Sequence, residues 1–255
     1  MKKAPTQDLS QTLETGGGNS AIRENLAKVN SRIKIACQNA HRSSDSVHLL
    51  AVSKTKPASM VLAAMACGQR HFGENYLQDA LPKIELINHS SSGDGENNKG
   101  DKGIWHFIGA IQSNKTRPIA EHFDWVHTVA SLKVARRLNN QRPADKPPLK
   151  IFLQINIDDD PDKSGFHPHE LALVLPEIAT FERLELQGLM TLPTQRQGTS
   201  LQREPFKQLR LLQQANCPTQ AELSIGMSQD LEAAILEGAT WVRIGTDIFG
   251  TRESL

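Results

Sequence analysis

Short apolar runs and longer stretches with helical spacing take turns along this chain. "VHLLAVSK" (47–54) reads as a strand and "ASMVLAAMACG" (58–68) as a helix ended by Gly68. "RHFGEN" (70–75) is a short strand, and "YLQDALPKIELI" (76–87) is helical, with Pro82 placed to disturb it. "IWHFIGA" (104–110) precedes a helix through "SNKTRPIAEH" (113–122), and "DWVHTVA" (124–130) precedes "SLKVARRLNNQ" (131–141), capped by Ser131. "LKIFLQINI" (149–157) is the clearest buried strand, followed by helical "HPHELALVLPEIATF" (167–181). "LELQGLMTLP" (184–193) and "AELSIGMS" (221–228) are strands, with helices over "EPFKQLRLLQQA" (204–215) and "QDLEAAILEGA" (229–239). "WVRIGTDIFG" (241–250) reads as the last strand.

Each of the first seven strands is followed by a helix. Strict alternation implies a parallel sheet, because parallel neighbours need a crossover connection. Eight such units predict a closed (β/α)8 barrel, a TIM barrel. The competing arrangement is a doubly wound open sheet. No G-x-G-x-x-G follows the first strand, which weakens the dinucleotide-binding form of that alternative. Ahead of the cycle, "SAIRENLAKVNSRIKIACQNAHR" (20–42) predicts a leading helix, with Ser20 as cap and Ile22, Leu26, Val29, Ile33 and Ile35 near helical spacing.

Three stretches break the rhythm. Residues 1–19 read as a disordered tail, polar and glycine-containing, without the apolar core of a secretory signal. "NHSSSGDGENNKGDKG" (88–103) reads as a flexible loop insertion, and "RPADKPP" (142–148) as a proline-rich connector. Neither of these two separates independent cores, so residues 20–255 read as one domain.

Charge and cysteine usage narrow the function classes. A net charge of +1 lacks the basic excess of a general nucleic-acid binder. No apolar run reaches the length of a membrane span. Cys37, Cys67 and Cys217 are odd in number and widely spaced, which argues against a disulfide framework and for a reducing, cytoplasmic compartment.

In such a barrel the chemistry sits where strands end. Leu50, Val52 and Lys54 share one parity of the first strand, so Lys54 is read as its last residue, directed at the barrel mouth. A partly desolvated lysine is a nucleophile able to form a Schiff base. Lys56, beside Pro57, reads as a surface cation in the turn. Strand seven ends in "SIGMSQD", where Ser228 is a natural helix cap and Gly226 admits a close ligand. Strand eight ends with Gly245 and Thr246. Barrels often hold phosphate at these two strand ends, although ordinary capping explains each piece taken alone. Arg243, inside strand eight, needs a partner: either an acid such as Glu74, or a ligand's ring nitrogen or phosphate. Together, the lysine, the phosphate cradle and the arginine point to pyridoxal phosphate (PLP).

"AVSKTKP", "FGENY", "WHFIGAIQSNK", "INIDDDPDKSGF", "GLMTLP" and "LSIGMSQDLEAAILEGATWVRIGTDIFG" together resemble the YggS/PROSC family of pyridoxal phosphate homeostasis proteins, from about Ser20 onward. The resemblance implies an alanine racemase N-terminal domain-like barrel that binds PLP through Lys54. It implies phosphate contacts from Ser228, Gly245 and Thr246, Arg243 facing the pyridine nitrogen, and Asn75 near the ring. It further implies a role in intracellular vitamin B6 homeostasis, holding PLP as a lysine Schiff base and buffering or delivering it, with PLP-dependent apoenzymes as recipients. No catalytic residue, metal, nucleic acid or membrane is expected, and a monomer is. The alternative is a PLP-dependent amino-acid racemase. Such racemases use a second base, a tyrosine from a C-terminal domain. Here the chain stops soon after strand eight and Tyr76 is the only tyrosine, so a carrier is expected.

Lys163, in "DKSGF", reads either as a loop lysine or as a participant in cofactor transfer. His71, His106 and His127 read as barrel or packing residues. Asp158, Asp159 and Asp160 read as a solvated turn rather than a metal site.

Overall fold

Eight parallel strands close on themselves in sequence order. The computed structural model describes residues 16–90, 102–220 and 222–251. The strands are β1 (His48–Val52), β2 (His71–Glu74), β3 (Ile104–Phe107), β4 (Trp125–Val129), β5 (Leu149–Gln154), β6 (Leu184–Met190), β7 (Glu222–Ser224) and β8 (Trp241–Ile244). β1 pairs with β8 from His48↔Trp241 to Ala51↔Ile244, which completes the (β/α)8 barrel. Around it run α2 (Ala58–Ala66), α3 (Leu77–Ser90), α4 (Thr116–His122), α5 (Leu132–Gln141), α6 (Leu171–Ile178), α7 (Thr199–Asn216) and α8 (Leu231–Leu236). A leading helix, α1 (Gly16–Asn39), packs on α2, α8 and α9 (Thr246–Phe249).

Strand parity divides the interior in two. In β5, Leu149, Ile151 and Leu153 join the large aliphatic layer between sheet and helices. Phe152 points the other way and packs inside the barrel with Leu50, Trp125, Met190 and Trp241. Burying one leucine-sized side chain contributes about 1.5–3 kcal/mol, so the outer layer supplies most of the hydrophobic stabilisation.

Several boundaries differ from the sequence reading, for local reasons. Gly16–Asn19 are already helical, so Ser20 is not the cap of α1; its hydroxyl donates to Glu24. Residues 1–15 of the expected tail lie outside the described residues. Ile22, Leu26, Val29 and Ile33 are buried as the spacing requires, but Ile35 is 54% exposed. Asn88–Ser90 are the last turn of α3, which runs through Pro82; of the expected loop, 91–101 lie outside the described residues. α7 starts at Thr199 and carries Pro205 within it. β8 stops at Ile244, because the amides of Ile248 and Phe249 both donate back to the Gly245 carbonyl and wind Thr246–Phe249 into α9.

β1 likewise stops at Val52, so Lys54 is not a strand residue. The Ser53 amide donates to the Gly73 carbonyl, and the Lys56 amide then donates back to the Ser53 carbonyl at 3.1 Å. Lys54 and Thr55 are the central pair of this turn, with Thr55 at φ 63°. A β-branched residue in the left-handed region is strained by about 1–3 kcal/mol.

Candidate functional site

One cavity of about 530 Å³ opens where the strands end. Lys54, Asn75, Ser228, Arg243, Gly245 and Thr246 all line it. Lys56 lines it too, but its ammonium donates to the Thr251 carbonyl at 2.8 Å, which ties the β1 turn to the chain after α9. Tyr76 and Lys163 are not among the lining residues.

The turn that carries Lys54 is anchored from outside the barrel. Ser53 has the opposite parity, and its hydroxyl donates to the Glu74 carboxylate at 2.6 Å. The Lys83 ammonium, from α3, donates to Glu74 at 2.6 Å and to the Ser53 carbonyl at 2.9 Å. All three residues are buried. Burial raises the Glu74 carboxyl above its ordinary value, while the Lys83 charge pulls it back. Glu74 is therefore Lys83's partner, and the sequence-based pairing with Arg243 does not occur.

Arg243 lies deeper in the barrel. It is the register partner of Leu50 on β1, two residues before Val52 at the end of that strand. Its side chain is only slightly exposed, at 5% for the residue. Nη1 donates to the Ser224 carbonyl (2.6 Å) and the Ser224 hydroxyl (2.8 Å), and Nη2 donates to the Thr191 carbonyl (3.1 Å). Among the described residues no carboxylate is within ion-pair distance of it. Burial lowers the guanidinium to about 10, with the Asp230 charge acting in the opposite sense, so it stays charged at neutral pH.

The loop after β7 is built differently from its sequence reading. α8 begins at Leu231, so Ser228 does not cap it. A turn intervenes, in which the Met227 amide donates to the Asp230 carboxylate at 2.6 Å. Gly226 has φ 91°, and a Cβ there would be 2.6 Å from the Ala234 Cβ. The glycine is thus required by packing against α8. Arg32, from α1, donates to the Ser228 carbonyl (2.8 Å) and to Asp247 (2.7 Å), and it pairs with Glu232 (2.9 Å). One side chain outside the barrel cycle thereby joins the turn that holds Ser228 to α8 and to α9, which begins at Thr246.

The opposite rim uses residues that the sequence reading assigned otherwise or missed. Asp158 is not solvated: its carboxylate accepts from Lys163 (2.9 Å), the Thr194 amide (2.6 Å) and Arg196 (2.8 Å). Burial would raise this carboxyl, but the hydrogen bonds from Lys163 and Thr194 outweigh it and hold it below the ordinary range. Lys163 also donates to the Thr194 hydroxyl, so it is a strut between two loops rather than a free loop lysine. Arg196 lines the cavity. Its segment, "TQRQGTS", has no periodicity to mark it. Among the described residues no group of three His, Cys, Asp or Glu side chains could hold a metal ion.

The three histidines are linked. His71 Nδ1 is 2.9 Å from His106 Nε2, His106 Nδ1 is 2.8 Å from His127 Nε2, and His127 Nδ1 is 2.7 Å from the Ser224 hydroxyl. Trp125 stacks on His106 at 5.1 Å, and Trp241 contacts all three rings. Burial holds His106 and His127 well below the ordinary imidazole value. Burial, then His48 and Lys150, lowers His71 to about 4.

Residues 20–253 match the sequence profile of the alanine racemase N-terminal domain. A Pseudomonas aeruginosa protein named pyridoxal phosphate homeostasis protein is 51% identical over 236 residues, covering 92% of this chain and 97% of its own. The Escherichia coli K12 protein of the same name is 45% identical, covering 91% and 97%. Among solved structures, PipY of Synechococcus elongatus with PLP bound superposes with a TM-score of 0.74 at 36% identity, covering 90% of this chain and all of PipY. No helix among the described residues is long and apolar enough to cross a membrane.

Proposed function

We propose that this chain, which belongs to the family of pyridoxal phosphate homeostasis proteins built on the alanine racemase N-terminal domain, holds PLP as a Schiff base on Lys54 and buffers or delivers it. The observation that carries this reading is one cavity with Lys54 at its edge and a buried, charged Arg243 lining it.

The residues present fit the group. PLP supplies an aldehyde, an aromatic ring with a basic nitrogen, and a phosphate. Lys54 has the amine for the aldehyde. Asn75 Oδ1 is buried in the cavity wall with no hydrogen-bond partner, an orphan acceptor that a bound ligand can satisfy. Ser228, Gly245 and Thr246 offer hydroxyls and backbone amides for the phosphate. Arg243, whose buried charge lines the cavity, would face the ring nitrogen and disfavour a second positive charge there. A ring kept neutral is a weaker electron sink, which suits a holder better than a catalyst. The chain's single tyrosine, Tyr76, is 46% exposed and outside the cavity lining, so it is not posed as a second base opposite Lys54. The exposed Met227 and Thr246 leave the mouth accessible, as delivery to recipient apoenzymes requires. The free cysteines Cys37, Cys67 and Cys217 support a reducing, cytoplasmic setting.

The test is direct. Load the protein with PLP, reduce with borohydride, digest, and locate the pyridoxyl group by mass spectrometry. It is expected on Lys54; recovery on Lys56 would overturn the assignment. The loaded protein given L-alanine is expected to make no D-alanine at an enzyme's rate. Turnover of about 10 per second, lost in Lys54→Ala, would make it a racemase.

A further inference from the structure

The interior of a TIM barrel is ordinarily filled with branched aliphatic side chains. Here a file of hydrogen bonds runs through it beside Leu50, Phe152 and Met190, from His71 at the start of β2 to Arg243 at the cavity. A guanidinium has donors only. Arg243 Nη1 must therefore donate to the Ser224 hydroxyl oxygen. That oxygen keeps one hydrogen to give, in a side chain with no exposure, and its other neighbour is His127 Nδ1. If His127 carried its proton on Nδ1, the serine hydrogen would be left buried without an acceptor, which is costly.

The direction then propagates. His127 accepts at Nδ1 and donates from Nε2 to His106 Nδ1. His106 in turn donates from Nε2 to His71 Nδ1. The Nε2–H of His71, a half-buried residue, is left for solvent at the barrel floor. Every group in the file presents a lone pair toward Arg243 and a hydrogen away from it. Trp125, Phe152 and Trp241 sheathe the rings and shield them from water.

We propose that Ser224, His127, His106 and His71 are positioning residues for Arg243: a one-way file of neutral dipoles that solvates its buried charge without neutralising it and fixes where it points. A carboxylate in that place would cancel the charge a ligand meets. The file and the two backbone carbonyls leave it whole. The ligand half of this inference rests on the PLP reading above; the tautomers do not.

The first measurement therefore uses ligand-free wild-type protein. Long-range hydrogen–nitrogen NMR of nitrogen-15-labelled histidine near pH 7.5 is expected to find all three rings protonated at Nε2 and bare at Nδ1. A proton on Nδ1 of any one of them overturns the file. The second measurement is the PLP dissociation constant. His127→Leu removes the acceptor for the Ser224 hydroxyl and is expected to weaken binding by about tenfold or more, the scale of leaving one buried donor unsatisfied. His127→Asn returns an acceptor near the Nδ1 position and is expected to recover most of that loss. Equal binding by the Leu and Asn variants would overturn the positioning role. Wild-type protein that binds no PLP would overturn the cofactor reading, with the tautomer result standing apart from it.

Discussion

The barrel has two buried regions made of different chemistry. Between sheet and helices lie aliphatic side chains such as Leu149, Ile151, Leu209 and Val242, held by area and dispersion. Inside the sheet, threaded among Leu50, Trp125, Phe152, Met190 and Trp241, lie imidazoles, a serine and an arginine held by directed hydrogen bonds. The outer region tolerates small rearrangements, because apolar contacts have no required direction. In the inner region each bond constrains the next. Stability is concentrated where geometry matters least, and orientation where the ligand would be read.

Acid separates the two regions most sharply. An imidazole in the unfolded chain titrates near its ordinary value of 6.5, whereas His71 is lowered to about 4 and His106 and His127 lie well below the ordinary value. Between those values the unfolded chain binds more protons, so the inner region's contribution is complete above about pH 6.5 and is lost as pH falls toward 4. The loss reaches up to about 1.4 kcal/mol per pH unit for each histidine. Urea denaturation at half-unit steps measures it, against the opposite slope of the raised Glu74, Asp124 and Asp230 carboxyls; a slope unchanged in His127→Leu would mean that this imidazole is not held neutral.

Ile151→Ala probes the outer region alone. It is expected to cost about 2–5 kcal/mol. The cost should be the same at pH 8 and pH 6, because Ile151 packs in the aliphatic layer. Paired urea curves check this, and a cost that changed with pH would join the two regions energetically. The smallest effect is expected at the rim. Thr55→Gly relieves a strained φ and should raise stability by about 1 kcal/mol, read as a higher urea midpoint. Weaker PLP retention in the same variant would assign the strain to holding Lys54 in place.

The alternation of strands and helices made much of this legible in the sequence. Barrel order brought Lys54, Ser228, Gly245 and Thr246 to one mouth, but parity did not place Lys54, which lies in the turn after β1. The strand histidines were visible as residues, but not as a file: His127 and Ser224 are 97 positions apart and meet only across a closed barrel. Arg243 was recognised as needing a partner. The acid offered for it, Glu74, lies on the outward parity of β2, with Phe72, which a parity count on that strand could have found. Caps were the weakest signal. Ser20 and Ser228 have the chemistry of caps, but nothing local distinguishes a serine at a helix start from one inside a helix or in the turn before it.

The pairing of the first strand with the last has a consequence for how the protein is made. Lys54 leaves the ribosome long before Arg243, Ser228 and Thr246. At about 5–20 residues per second the interval is roughly 10–40 s. Through that time the part of the cavity wall that follows β7 and β8 is not yet made. Arg32, made earlier still, waits for Ser228, Glu232 and Asp247 before it can draw the two loops together. On the proposed function, the cavity that would select the ligand is therefore completed only when the final strand closes the ring.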